Sequence, residues 1–170
     1  MKNNLHQITL REATIEDLAI LEYWDQQQHV KDASGDDDIW NWSEELKYEP
    51  EWREQLIAEL LGRPLGTVQI IDPAAEETHY WGEVAPNLRA IDIWIGEAAD
   101  LGKGYGTIMM QLAIERSFDA SEVTAIMIDP LFSNQRAIRF YQRLGFDEVE
   151  RRMFENDDCL VMQLTREKWS

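Results

Sequence analysis

Apolar positions along this chain fall into short blocks whose spacing changes from block to block. Ile8-Thr9-Leu10-Arg11 alternates and predicts a first strand. Thr14-Ile15-Glu16-Asp17 supplies an N-cap followed by acidic residues, close to a capping box, ahead of Leu18, Leu21 and Tyr23. The helix it opens is predicted to run to about Gln28. Asp32, Ser34, Gly35 and Asp36 to Asp38 then break the pattern. Trp40 and Trp42 follow, so this loop packs either on the protein or on a ligand. Gln55 to Leu61 and Leu65 to Ile71 flank Gly62-Arg63-Pro64 and read as a hairpin, closed by Asp72-Pro73. Ala74 to Pro86 is a polar connection carrying His79, Tyr80, Trp81 and Glu83.

The second half is more regular. Leu88 to Ile95 reads as a strand, and Ile108, Met109, Leu112, Ala113 and Phe118 recur at helical spacing. Val123 to Ile128 is a nearly continuous apolar run, as expected of a strand buried on both faces. Ser133 is placed to cap a helix whose one face carries Ala137, Ile138, Tyr141 and Leu144, and Gly145 ends it. Phe146 to Glu150 and Cys159 to Leu164 form a last pair of strands across a turn at Glu155 to Asp158. The sum is an α/β (α+β) protein: one domain over residues 1–170, a mixed sheet flanked by helices.

Between the Leu88–Ile95 strand and the following helix lies Leu101-Gly102-Lys103-Gly104-Tyr105-Gly106-Thr107. Three glycines in five residues let several backbone N–H groups converge. At a helix N-terminus they form a site for phosphate, with Lys103 as a mobile charge at its rim. A Walker A loop is excluded, because five residues separate Gly96 from Gly102-Lys103 and Gly104 follows the lysine. A dinucleotide fingerprint is excluded by the G-x-G-x-G spacing. A pyrophosphate loop and a plain glycine-rich turn remain.

Composition changes the picture mainly through charge. The 170 residues are 44% hydrophobic and 10% aromatic, in keeping with a folded domain. No apolar run approaches the roughly 18 residues of a membrane span, and the N-terminus lacks a signal-peptide core. Cys159, the only cysteine, reads as a small hydrophobe in a strand, and a cytoplasmic location is expected. Acidic residues number 33 against 16 basic ones, a formal charge of −17. Such a surface repels nucleic acid and attracts polycations, although acidity for solubility alone gives the same count. His6, His29 and His79 lie far apart with no ligand spacing, so no metal is expected.

The glycine loop resembles the Q/R-x-x-G-x-G/A pattern of the GNAT superfamily of N-acetyltransferases, with Leu101 where Gln or Arg is usual. Asp129-Pro130 followed by Ser133 to Phe146 resembles the second half of that signature. A closer resemblance is to the aminoglycoside 6'-N-acetyltransferases. It is carried by Arg89-Ala90-Ile91-Asp92, Leu101 to Gly104 with Gly106-Thr107, Glu122-Val123-Thr124, Asp129-Pro130, Asn134 and Arg136-Ala137-Ile138. It covers residues 80 to 147, with a weaker match in the N-terminal third.

The resemblance implies a mostly antiparallel GNAT-like sheet and acetyl-CoA as co-substrate. It implies transfer to the 6'-amine of a polycationic acceptor in a ternary complex, by a monomer or homodimer. Ile93, Trp94 and Ile95 would hold the pantetheine arm through their backbone, and Asn134 would contact it. The amides of Gly102, Lys103, Gly104, Tyr105, Gly106 and Thr107 would hold the pyrophosphate. Tyr141 would be the general acid for the departing thiolate, where positioning matters more than acidity. Asp92 would bind and deprotonate the acceptor ammonium, with Asp129 beside it. Asp38, Trp40 and Glu83 are further acceptor candidates. Packing alone would account equally for the tryptophans; a turn before Pro130 is the alternative for Asp129, and a core aromatic the alternative for Tyr141. Two other readings stand: transfer to another small amine or hydroxylamine, and a non-catalytic acyl-CoA- or drug-binding module.

Overall fold

The computed structural model describes residues 7–34 and 40–170. Among them, seven strands form one sheet in the order β1-β2-β3-β4-β5-β7-β6. The strands are β1 (Ile8–Glu12), β2 (Arg53–Leu60), β3 (Arg63–Ile71), β4 (Leu88–Ile95), β5 (Ala125–Ile128), β6 (Asp147–Phe154) and β7 (Asp157–Thr165). Every neighbouring pair is antiparallel except β4 and β5. The helices are α1 (Leu18–Asp25), α2 (Gln28–Ala33), α3 (Trp42–Glu45), α4 (Tyr105–Phe118), α5 (Gln135–Arg143) and α6 (Arg166–Trp169). The single mixed, mostly antiparallel sheet expected from the sequence is the one observed.

Helices cover both faces of this sheet. On one, α4 packs against β1, β3 and β4, burying Met109, Met110, Ala113 and Ile114 with Leu56, Val68, Ile91 and Ile126. Ile138 and Tyr141 of α5 join the same core. On the other, Leu21 and Trp24 of α1, Trp42 of α3, Leu46 and Ile57 form a second cluster, with Trp40 and Trp94 packed on it. Strand alternation divides β4 between the two: Ile91, Ile93 and Ile95 pack with α4, while Trp94 packs with α1 and α3. A third cluster of Trp81, Ala90, Phe154, Cys159 and Val161 lies where the 74–86 connection crosses β6 and β7. Cys159 is buried in it, as a small hydrophobe.

Several local expectations are corrected. The first helix begins as a single 3-10 turn, Ile15–Asp17, with a complete Thr14 capping box. It ends at Asp25, because Gln27 is extended (φ −71°, ψ 135°) and a separate α2 follows. The break turns the chain so that His29 reaches the carbonyl of Ile95 at 2.7 Å while Trp24 stays buried against Gly96. The tryptophan loop contains α3, capped by the Asn41 side chain, which accepts from the Glu44 N–H. The hairpin turns at Leu61-Gly62, where φ is +52° and +82°, and Arg63-Pro64 already belong to β3. Two consecutive left-handed residues match the twist of the flanking strands, which a turn through Pro64 cannot do. α5 is capped by Asn134, whose Oδ1 accepts from the Ala137 N–H at 3.1 Å, not by Ser133. The last two strands are each longer than expected, and α6, capped by Thr165, follows them.

Candidate active site

β4 and β5 share a parallel ladder only over Leu88–Ala90 and Ala125–Met127. Beyond it they part. The Gly96 N–H donates to Leu65 O at 2.9 Å, so by alternation the backbone groups of Trp94 and Asp92 point to β3. Those of Ile93 and Ile95 point into the fork. The fork therefore presents strand-edge donors and acceptors to anything extended that enters it. One of them, the Ile95 carbonyl, already accepts a hydrogen bond from His29.

The glycine loop closes the end of this fork. Gly102 and Gly104 have φ of +73° and +83°, a region open to glycine at little cost, and Gly104 is the N-cap of α4. Gly104 has no side chain with which to cap. The first bond inside the helix is weak, from the Ile108 N–H to Gly104 O at 3.4 Å. The amides of Tyr105, Gly106 and Thr107 thus end a fourteen-residue helix with their donors pointing outward. Ile95 and Phe140 flank Gly106, lying 3.6 and 3.8 Å from where a Cβ would sit. Arg63 fixes the approach to the loop through two hydrogen bonds to buried Asp100, at 2.9 and 3.2 Å. These features fit an acyl-CoA: an anion site on the helix end, and a strand edge for an amide-bearing arm.

At the other end of the fork is a cavity of about 400 Å³. Asp92, Ile93 and Trp94 of β4 line it, with Ile128 at the end of β5, Asp129 and Leu131 just beyond it, and Ala137 and Tyr141 of α5 with its N-cap Asn134. Trp40 also lines it, stacked on Trp42 at 5.2 Å and tilted against Trp94 at 6.3 Å. Among the described residues six charged side chains line the cavity, of which Glu45, Glu76, Asp92, Asp129 and Asp157 are acidic. The sixth, Arg53, is held by the Glu45 carboxylate and by the carbonyls of Glu45 and Tyr48. The described lining of the cavity is therefore predominantly acidic, a charge that attracts cations.

Tyr141 is 9% exposed and packs edge-on to Phe140 and Phe146. Burial, then the charges of Asp92 and Asp129, push its phenol well above the ordinary tyrosine range. It keeps its proton throughout neutral pH. Asp129 follows β5 at the point where the chain turns along β7. There the Leu160 N–H donates to Pro130 O at 2.9 Å and the Phe132 N–H to Asp158 O at 2.8 Å.

The fold thus brings Trp40, Asp92, Ile93, Trp94, Asp129, Asn134 and Tyr141 to one cavity, with Ile95 and Gly102–Thr107 at the far end of the fork. The backbone of Trp94 is committed to β3, so its indole, not its peptide group, faces the site. The Asn134 side-chain oxygen is engaged as a helix cap. Glu83 is exposed in the connection and does not line the cavity. Asp38 lies outside the described residues.

Among the lining residues that sequence analysis did not single out are Tyr80, Glu76 and Gln69. Tyr80 donates its hydroxyl to Asp129 Oδ2 at 2.6 Å. Buried Glu76 accepts from the backbone N–H groups of Thr78 and Tyr80 and from the Thr78 hydroxyl. Burial alone would raise the Glu76 carboxyl; those donors, together with His79, hold it below its ordinary value. Gln69, opposite Asp92 in the β3–β4 ladder, is 1% exposed and donates to Gln55 Oε1 at 3.0 Å. Gln55 in turn donates to Thr67, and Thr67 to Leu56 O, which fixes the orientation of both amides. A glutamine and a threonine inside an apolar strand pattern were the signal for this row. The Tyr80-Trp81 pair in a polar connection was the signal for the other two.

Comparison with known proteins agrees with this geometry. A family model described as an acetyltransferase (GNAT) domain matches residues 14–154. The aminoglycoside N(6')-acetyltransferase type 1 of Klebsiella pneumoniae is 34% identical over 153 residues, covering 85% of this chain and 76% of that protein. A kanamycin resistance protein of Rhizobium radiobacter is 42% identical over 73 residues, covering 42% of this chain and 68% of that protein. The solved structure of AAC(6')-Ib in complex with paromomycin and acetyl-CoA superposes with a TM-score of 0.85 at 32% identity, covering 96% of both chains. With a forked parallel strand pair, a glycine loop on the helix that follows it and a family model spanning most of its length, this chain belongs to the GNAT family of acetyltransferases.

Proposed function

We propose that this protein acetylates the 6'-amine of an aminoglycoside, using acetyl-CoA in a ternary complex. The observation that carries the acceptor assignment is the cavity at the β4–β5 fork, where, among the described residues, five of six charged lining residues are acidic. A polyammonium sugar matches it in charge, and the hydroxyls and amines of such a ligand match its carboxylates as donors. The relatives bearing aminoglycoside names support the same reading.

Acetyl-CoA, when bound, supplies an acetyl group activated as a thioester. Gly102 to Thr107 would hold its pyrophosphate, and the outward backbone groups of Ile93 and Ile95 its arm. Asp92 would anchor the acceptor ammonium and take its proton, since only a neutral amine has the lone pair to attack. Asp129 and the Trp40 wall would orient the rest of the acceptor. Tyr141, protonated and buried beside both carboxylates, is the proton donor of the site.

Thiol release from acetyl-CoA against kanamycin, tobramycin, spermidine, lysine and a hydroxylamine tests the proposal. Turnover confined to the two aminoglycosides is expected. Turnover only with spermidine, lysine or the hydroxylamine would replace the acceptor while keeping the chemistry. Acetyl-CoA binding without turnover on any of them would favour a binding module.

A further inference from the structure

The 74–86 connection does more than bridge two strands. Its residues 76–80 wrap around the buried Glu76 carboxylate, which accepts from the Thr78 and Tyr80 N–H groups at 2.8 and 3.0 Å and from the Thr78 hydroxyl at 2.9 Å. His79 takes the left-handed conformation (φ +54°) that lets the chain close this turn. The Tyr80 ring then lies flat on Phe154 of β6, 4.6 Å between centroids and 8° between planes, and meets Trp81 edge-on. Backbone, ring and hydroxyl are each held by a different neighbour. The hydroxyl ends at Asp129 Oδ2, 2.6 Å away, in the wall of the cavity.

We propose that Tyr80 is a positioning residue for the acceptor: its hydroxyl fixes the orientation of the Asp129 carboxylate, and the Glu76 turn with the Phe154 ring fixes Tyr80. The inference deepens the acceptor assignment above and rests on it. A carboxylate at the end of a strand rotates about χ2 unless something holds it, and a rotating anion loses entropy when it grips an ammonium. A short, charge-assisted O–H···O⁻ bond removes that cost before the acceptor arrives. Although Tyr80 is 43% exposed, burial of its ring, then the charge of Asp129 and the hydrogen bond to it, raise its phenol above the ordinary range, so it keeps its proton at neutral pH.

Tyr80→Phe removes the hydroxyl and keeps the ring on Phe154. The test compares wild type, Tyr80→Phe, Asp129→Asn and the double variant by calorimetric titration with kanamycin in saturating CoA, alongside the kanamycin KM. Tyr80→Phe is expected to weaken kanamycin roughly 10-fold, the scale of one hydrogen bond to a charged group. The Kd for CoA and the melting temperature should stay at wild-type values. In the Asp129→Asn background the same substitution should have no further effect. An unchanged kanamycin affinity in Tyr80→Phe overturns the proposal. An equal loss in both backgrounds also overturns it, because the hydroxyl then acts elsewhere than through Asp129. Failure of the wild type itself to bind kanamycin would instead overturn the acceptor assignment, and this inference with it.

Discussion

Tyr141 and Asp92 face one cavity from different elements, and their environments suit opposite roles. Tyr141 sits in the apolar core of α5, where burial and two nearby carboxylates keep its proton on. Asp92 projects from β4 toward the acidic cavity, where the acceptor ammonium would be its counter-charge. Replacing Tyr141 with Phe should lower kcat about 100-fold, the lower range for loss of a general acid, and leave the acetyl-CoA Kd nearly intact. Thiol-release kinetics paired with calorimetry checks this, and undiminished turnover would remove Tyr141 as the donor. Asp92→Asn keeps the shape but neither attracts nor deprotonates an ammonium. Acceptor kcat/KM should fall by about 100-fold or more, and wild-type kinetics would dismiss its role. Both residues were visible in the sequence because they stand at fixed distances from recognisable motifs. Tyr80 and Gln69 were not, since neither neighbour along the chain signals the distant partner each one meets.

The elements that build the site depend on close approaches that only small residues allow. A Cβ on Gly96 would lie 2.0 Å from the Trp24 indole nitrogen, and Trp24 is fully buried. A Cβ on Gly66 would lie 2.2 Å from the Trp94 carbonyl. Both contacts lie at the end of β4, where the fork opens and His29 ties α2 to Ile95. Gly96→Ala should therefore destabilise the protein by about 3 kcal/mol or more, because the ring has no room to retreat in a packed core. The urea midpoint reports it, and an unshifted midpoint would mean α1 is not seated tightly on β4. Hydrophobic spacing identified all seven strands and the long α4, since those elements bury one face or both. It did not separate α1 from α2, or show α3 and α6, whose few residues give too short a period to read.

At the scale of the molecule, five of the 33 acidic residues behind the −17 charge line the cavity among the described residues. Carboxylates line the cavity at the β4–β5 fork, which gives the surplus a testable role beyond solubility. If this field draws the acceptor in, kcat/KM for an aminoglycoside should fall steeply as ionic strength rises from about 10 mM to 150 mM, while kcat changes little. A salt-independent kcat/KM would reduce the acidity to a matter of solubility. Much of this protein was legible in the sequence alone: one domain, a mixed sheet with flanking helices, and a glycine-rich loop ahead of α4, with Asp92, Asp129 and Tyr141 named as candidates by the motifs around them. Those features are local, written in periodicity and in motifs a few residues long. The tertiary structure decided the rest. It set where β4 and β5 part, which backbone groups face the gap, which carboxylates share a cavity, and that Tyr80 meets Asp129. These are contacts between residues tens of positions apart, and packing of the whole chain, not any local preference, brings them together.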